Sequence, residues 1–261
     1  MADHTNKMNN DVILETRGVT KHFLGVVAIE DVDITIRSGD LVSLIGPNGS
    51  GKTTLFNCVT GYMRPENGQI LFRGKDITGN LPYRIALAGI SRTFQNVRIF
   101  PSMSVFDSLL TVMQQHQEDN IFQRFIRAPR IRNFESQARE RAETMLELVK
   151  LSQHRNKPAG SLSYGQRKLL EFAAVLMPDP DIVMLDEPAA AVNPAMIEQM
   201  KTHIRELNAQ GKTFLIVEHN MGVVMDLSHR VIVLDAGQKI AEGTPSEIQH
   251  NERVLEAYFG R

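Results

Sequence analysis

Over residues 13–23 and 26–36 apolar and polar side chains alternate in the manner of antiparallel strands, interrupted at Gly25 and closed by the turn Ser38-Gly39-Asp40. A period of two belongs to antiparallel strands with one face buried, so this stretch predicts a β-layer at the start of the chain. The pattern then changes. Residues 41–45 form a short continuous apolar run followed by glycines and a helical stretch, as in a strand buried on both faces. Runs at 182–185 and 213–217 repeat it, the first ending in Asp186-Glu187, the second in Glu218-His219, with a helical periodicity over 194–209 between them. Strands separated by helices predict a mostly parallel sheet that collects ligand groups at its strand ends.

Shorter strand patterns fall at 69–73, bounded by Gly68 and Gly74, and at 90–95, ending in Gln95. From 97 to 160 strand patterns give way to helical ones, at 105–113 and in the charged repeat 135–151, which predicts an inserted helical lobe that we bound at 97–165. Beyond Leu162-Ser-Tyr-Gly-Gln166 the spacing predicts a helix over 167–177, stopped by Pro178. Residues 230–241 read as a hairpin turning at Ala236-Gly237, and 245–259 as short surface helices, so 230–261 forms a C-terminal hairpin-and-helix segment. The polar residues 1–11 have no apolar stretch of the kind a secretory signal needs; they predict a disordered end preceding a single domain over 12–261.

The glycines after the 41–45 run carry chemistry. Gly46, four residues, then Gly51-Lys52-Thr53 match the phosphate-binding loop pattern, in which backbone N–H groups cradle phosphate oxygens, the lysine reaches the β- and γ-phosphates and the hydroxyl ligates Mg²⁺. Gly46, Pro47, Asn48, Gly49, Ser50, Gly51, Lys52, Thr53 and Thr54 are therefore candidate ATP contacts, ahead of a helix whose N-terminus favours anions. The fold class is thus an α/β P-loop core with a mostly parallel sheet, an antiparallel β subdomain and an inserted helical subdomain. Asp186 stands where a carboxylate holds Mg²⁺ beside the loop, and Glu187, next to the metal yet spared from ligating it, suits activation of a water. Gln95 carries an amide able to touch Mg²⁺ and that water; a neutral His219 can donate to a γ-phosphate oxygen or hold Glu187. Phe23 suits either a core position or stacking on an adenine face.

Composition narrows the field. Hydrophobic residues at 42% and charged ones at 23% are those of an ordinary globular protein, and no apolar run approaches the ~18 residues of a membrane span. With 29 basic and 30 acidic residues there is no overall field to attract nucleic acid. The single cysteine, Cys58, excludes an internal disulfide and a multi-cysteine metal site and reads as core packing. Four arginines among apolar residues at 122–132 read as a solvated face or as a contact for anionic headgroups or a partner.

Taken in order, these motifs resemble those of ATP-binding-cassette ATPases over nearly the whole chain. Phe23 falls at the adenine-stacking loop, Gly46 to Thr53 at Walker A, Gln95 at the Q-loop, 162–166 at the signature, 182–187 at Walker B and His219 at the switch histidine. Arg92-Thr-Phe-Gln-Asn-Val-Arg-Ile-Phe100, Leu162-Ser-Tyr-Gly-Gln166, Asp186-Glu-Pro-Ala-Ala190, Asn193-Pro194, Glu218-His-Asn-Met221 and Glu242-Gly-Thr-Pro245 are most similar to the ATP-binding subunit of high-affinity branched-chain amino-acid importers. Tyr164, in place of the first signature glycine, and Asn193, in place of the usual aspartate, depart from the broad family but suit that subgroup.

The resemblance implies two subunits, identical or paralogous, closing around two ATP. Ser163, Gly165 and Gln166 of one then bind the γ-phosphate held by the other, and Thr53, Gln95 and Asp186 hold Mg²⁺. It further implies separate membrane permeases received by a groove near 95–101, a periplasmic solute-binding protein acting through them, and peripheral attachment to the cytoplasmic face of the inner membrane. Two other readings exist: the ATPase of lipopolysaccharide extraction, which shares an ending like 254–260 but lacks the long helical lobe and Tyr164, and a nucleic-acid-associated switch, which the balanced charge disfavours.

Overall fold

The computed structural model describes residues 12–93, 100–114 and 128–259. Along the chain run β1 (Val12–Phe23), β2 (Val26–Arg37), β3 (Leu41–Ile45), α1 (Lys52–Val59), β4 (Asn67–Phe72), β5 (Lys75–Asp76), α2 (Pro82–Ala88) and β6 (Ile90–Arg92). The helices α3 (Val105–Gln114), α4 (Ala128–Leu148) and α5 (Tyr164–Leu176) follow. Then come β7 (Ile182–Asp186), α6 (Pro194–Ala209), β8 (Thr213–Val217), α7 (Met221–Leu227), β9 (Arg230–Asp235), β10 (Gln238–Gly243), α8 (Pro245–Gln249) and α9 (Glu252–Phe259).

One structural unit gathers residues up to 92, 181–190 and 204 onward. It holds two sheets. The larger has the order β10-β9-β3-β8-β7-β6, with β3 parallel to both β8 and β9, β7 parallel to β8 and β6, and only the edge strand β10 antiparallel. Every residue of β3, β7 and β8 is buried, which is why these strands read as unbroken apolar runs. The smaller sheet, β2-β1-β4-β5, is antiparallel; burial alternates cleanly over 32–36 of β2, whereas register shifts along β1 leave Ile13 and Leu14, and Val19 and Thr20, buried side by side. Helix α1 joins them: Leu55, Phe56, Cys58 and Val59 share one core cluster with Leu14, Ile34 and Ile70 of the small sheet and Leu44, Met184 and Leu215 of the large one. Burial of each large side chain contributes roughly 1.5–3 kcal/mol, so the helix that carries the phosphate loop is held on both sides. Cys58 packs here, and burial pushes its thiol up to about 11.

The second unit comprises 93–180 and 191–203. Among its described residues there is no strand beyond an isolated bridge, Ser104 to Pro158. Helices α3, α4 and α5 pack together and bury Leu109, Leu146 and Phe172. Arg141 of α4 donates to the Leu176 and Met177 carbonyls at 2.8 and 2.6 Å, closing the C-terminus of α5.

Several boundaries differ from the sequence expectation. Helix α5 starts at Tyr164 rather than at 167, because Ser163 caps it. Helix α4 starts earlier than the charged repeat and ends at Leu148. The strand expected over 90–95 is described only as Ile90–Arg92, and α2, a seven-residue helix opened by Pro82, had no expectation at all. The C-terminal helices are not confined to the surface: Ile248 and Val254 are buried in a cluster with Ile45, Val231 and Val233. No helix among the described residues is long and apolar enough to cross a membrane.

Candidate active site

The phosphate loop leaves β3 and turns on three glycines at positive φ: Gly46 at 150°, Gly49 at 82° and Gly51 at 101°. At Gly46 the requirement is absolute, since a Cβ would run into the Leu234 carbonyl and the Ser50 hydroxyl. Gly51 precedes α1 in the left-handed region and supplies no capping side chain, and the first turn holds no acidic residue. The N–H groups and dipole of that helix end are therefore left to an anion. Lys52 Nζ lies over the loop, donating to the Gly46 and Pro47 carbonyls at 2.7 and 2.9 Å and to Ser50 Oγ at 3.4 Å. Burial draws its ammonium below the usual lysine range, against the opposing pull of Glu187 and then Asp186. Asn48, Gly49 and Thr53 are exposed, Pro47 and Thr54 partly so, and Ser50 is buried. The β9–β10 turn braces the loop, with Gly237 N–H donating to the Ser50 carbonyl at 3.2 Å.

Opposite stands the mouth of β7. Asp186 is buried and accepts from Arg92 Nη2 at 2.8 Å. Glu187, one residue on, has φ of 49° and donates its N–H to the Val217 carbonyl of β8 at 2.9 Å, which turns its side chain away from the strand's course. His219 Nδ1 is 3.7 Å from Glu187 Oε1, and the imidazole is 59% exposed. Between them lies Glu218, 1% exposed, whose carboxylate accepts from the N–H groups of Ala189 at 2.8 Å, His219 at 3.1 Å and Asn220 at 3.2 Å. It thereby ties the loop after Glu187 to the loop that carries His219. Asn220 in turn caps α7 through the Val223 N–H.

Phe23 ends β1 and is 44% exposed, so the structure places it as an available ring face rather than as core. The strand end is pinned: Glu66 accepts from His22 Nδ1 at 2.7 Å and from Lys21 at 3.1 Å, and those bonds hold its carboxyl down at about 2. In the second unit, Ser163 and Gln166 form a reciprocal capping box, Ser163 Oγ accepting the Gln166 N–H at 3.3 Å and Gln166 Oε1 the Ser163 N–H at 2.9 Å. Gly165 packs so closely on the Met196 sulfur that a Cβ would collide with it. Asn193 Oδ1 accepts the Met196 N–H at 3.0 Å, a cap that asparagine fills as well as aspartate.

The structure thus brings Gly46–Thr54, Asp186, Glu187, His219 and Phe23 into one unit, and places Ser163, Gly165 and Gln166 in the other. Gln95 and the arginines at 124 and 127 lie outside the described residues, as do the side chains of Arg130 and Arg132. Arg92 and Glu218 had no assigned role in the sequence reading. Glu218 was visible as a charged strand end, but Arg92 fell inside the strand expected over 90–95, and the partners of neither could be read from residue order. The Ser163…Gln166 spacing was visible too, as a capping-box pattern inside the signature.

Comparison with known proteins agrees with this geometry. Residues 29–190 match the family described as "ABC transporter", and 238–261 match that described as "Branched-chain amino acid ATP-binding cassette transporter". The chain is similar to the high-affinity branched-chain amino acid transport ATP-binding protein LivG of Salmonella typhimurium, 41% identical across 95% of this chain and 98% of that protein. The corresponding protein BraF of Pseudomonas aeruginosa is 41% identical with the same coverage. A nucleotide-free ATP-binding cassette from an ABC transporter superposes with a TM-score of 0.83 at 36% identity, covering 96% of this chain and 100% of that one. The chain belongs to the ATP-binding cassette transporter family, and it is an ATPase that binds ATP.

Proposed function

We propose that this chain is the ATP-hydrolysing subunit of an importer for branched-chain amino acids or similar solutes. It works as a dimer, of identical or paralogous subunits, at the cytoplasmic face of the inner membrane, driving separate permeases supplied by a periplasmic binding protein. The observation that carries the reading is the β7 mouth: a buried carboxylate, Asp186, beside a partly exposed one, Glu187, with His219 3.7 Å from the latter and the buried Lys52 within the field of both.

The triphosphate lies on the N-terminus of α1, where Lys52 exchanges loop carbonyls for phosphate oxygens, and the adenine stacks on Phe23. The oxygen donors Thr53 and Asp186, with the Gln95 amide, fit Mg²⁺. Mg²⁺ would draw on one carboxylate here, Asp186, as a cation of that kind takes one or two carboxylates together with substrate phosphates. Mg²⁺, when bound, neutralises charge developing on the transferred phosphoryl group. Glu187 takes the proton from the attacking water while His219 holds the carboxylate. Ser163, Gly165 and Gln166 at the start of α5 of a second subunit close over the γ-phosphate, so hydrolysis requires a pair. Residues 12–261 act as one domain in this scheme, with the helical lobe 97–165 delivering the signature.

The test is a pair of variants. Glu187→Gln keeps size and hydrogen bonding but removes the base, so hydrolysis falls ~10²–10⁴-fold and the Mg²⁺-ATP-bound dimer survives gel filtration. Asp186→Asn weakens the metal site and stays monomeric under the same conditions. Near wild-type hydrolysis by Glu187→Gln would move the base elsewhere, with His219 next.

A further inference from the structure

Three elements of one unit converge on a single guanidinium. Arg92 closes β6 and its side chain is only 7% exposed. Nη2 donates to Asp186 Oδ2 at 2.8 Å, whereas Nη1 donates to Asn57 Oδ1 at 2.7 Å and to Thr60 Oγ1 at 3.0 Å, the first on the helix that follows the phosphate loop and the second at its C-cap. The guanidinium carbon sits 5.4 Å from the Phe56 ring centroid and 5.9 Å from that of Tyr62. A planar cation gripped on both edges and flanked by rings cannot follow its carboxylate into solvent. Asp186, with a side chain 6% exposed, depends equally on compensation from within the protein.

We propose that Arg92 is a positioning residue: the permanent countercharge of the metal-binding carboxylate, fixing Asp186 against α1 and sharing its charge with the divalent cation. The inference rests on the reading of Asp186 as a Mg²⁺ ligand. A guanidinium at 2.8 Å offsets much of the pull that Asp186 exerts on a free metal ion, so the site takes a cation firmly only when phosphate oxygens contribute as well. It also spares an incoming triphosphate the repulsion of an uncompensated acid beside Glu187. The metal therefore enters together with its nucleotide rather than ahead of it.

Two measurements on the full chain test this. The first is a double-mutant cycle in EDTA: Arg92→Met lowers the thermal midpoint by about 6–20 °C in the wild-type background, where it strands a buried charge, and by less than half as much beside Asp186→Asn. The second is Mn²⁺ binding by electron paramagnetic resonance without nucleotide. Arg92→Met binds Mn²⁺ about tenfold more tightly than wild type, Arg92→Lys binds as wild type does, and Arg92→Met with Asp186→Asn loses the gain. Equal destabilisation in both backgrounds, or no gain in Mn²⁺ affinity, overturns the proposal and leaves Arg92 as a clamp on α1. Should Arg92→Met fail to fold, recovery of folding in the double variant carries the same message, and a double variant that stays unfolded overturns it. If Asp186→Asn leaves Mg²⁺-ATP affinity unchanged, the metal reading fails by itself, while the cycle in EDTA still decides whether the two residues are coupled.

Discussion

The phosphate loop and the mouth of β7 face the same chemistry with opposite materials. The loop is made of backbone: its three positive-φ residues are glycines, for which that conformation carries no steric penalty, and its cation rests on carbonyls of the same loop. The mouth is made of side chains held by other side chains and amides. Asp186 is fixed by Arg92, Glu218 is buried among three N–H groups, and Glu187 takes φ of 49° without being glycine. A wall that only has to receive a fixed polyanion can be built from peptide geometry. One that must move a proton needs carboxylates at defined depths, and these demand buried charge and local strain.

The comparison breaks most sharply at Gly46. Gly46→Ala drives a methyl into the Leu234 carbonyl at φ of 150°, so neither the turn nor its neighbour can relax cheaply. We expect a loss of about 4 kcal/mol or more in urea denaturation together with loss of ATP binding. A variant that binds ATP normally would mean that the loop is less dependent on its backbone than described.

Glu218 tests the other wall. Glu218→Gln keeps one acceptor oxygen, which can serve Ala189 or the His219–Asn220 pair but not all three donors. A cost of about 1–3 kcal/mol follows, and kcat should fall while the ATP affinity set by the loop holds. If KM rises and kcat is unchanged, Glu218 supports nucleotide binding instead of the hydrolytic geometry.

The smallest effect has the opposite sign. Glu187→Gly removes a side chain from a left-handed residue and should raise nucleotide-free stability by about 0.5–1 kcal/mol while abolishing hydrolysis, whereas Glu187→Gln keeps the strain and leaves stability as it was. A fall in the denaturation midpoint of the glycine variant would show that the carboxylate holds the mouth together.

The same contrast governs what could be read from residue order. The loop was legible because backbone chemistry needs its residue types in one contiguous run, and Asp186-Glu187 because a strand written entirely in apolar residues ends there. Arg92 was not, since its partners lie 32, 35 and 94 residues away and only the folded sheet brings them together. Glu218 looked like one more polar strand end; its bond to Ala189 spans 29 residues. Helix α5 starts three residues before the apolar spacing shows it, because Ser163 and Gln166, which cap its first turn, lie inside the signature motif.

The phosphate loop, early in the chain, is roofed by residues from near its end. Gly46 packs under the Leu234 carbonyl, Gly237 holds Ser50, and the ring of Tyr258 on α9 is half-buried with its hydroxyl beside the Gly46 amide. Burial pushes that phenol up, and the Gly46 N–H draws it partly back. On a ribosome adding ~5–20 residues per second, on the order of 10–40 s separates the appearance of Gly46 from that of Tyr258. Throughout that interval the nascent loop has its glycines but lacks its roof, so the packing around Gly46 and Ser50 is among the last to be completed. A ribosome that stalls within the final hairpin or helices leaves a chain with every signature of an ATPase but without the contacts that close over that loop.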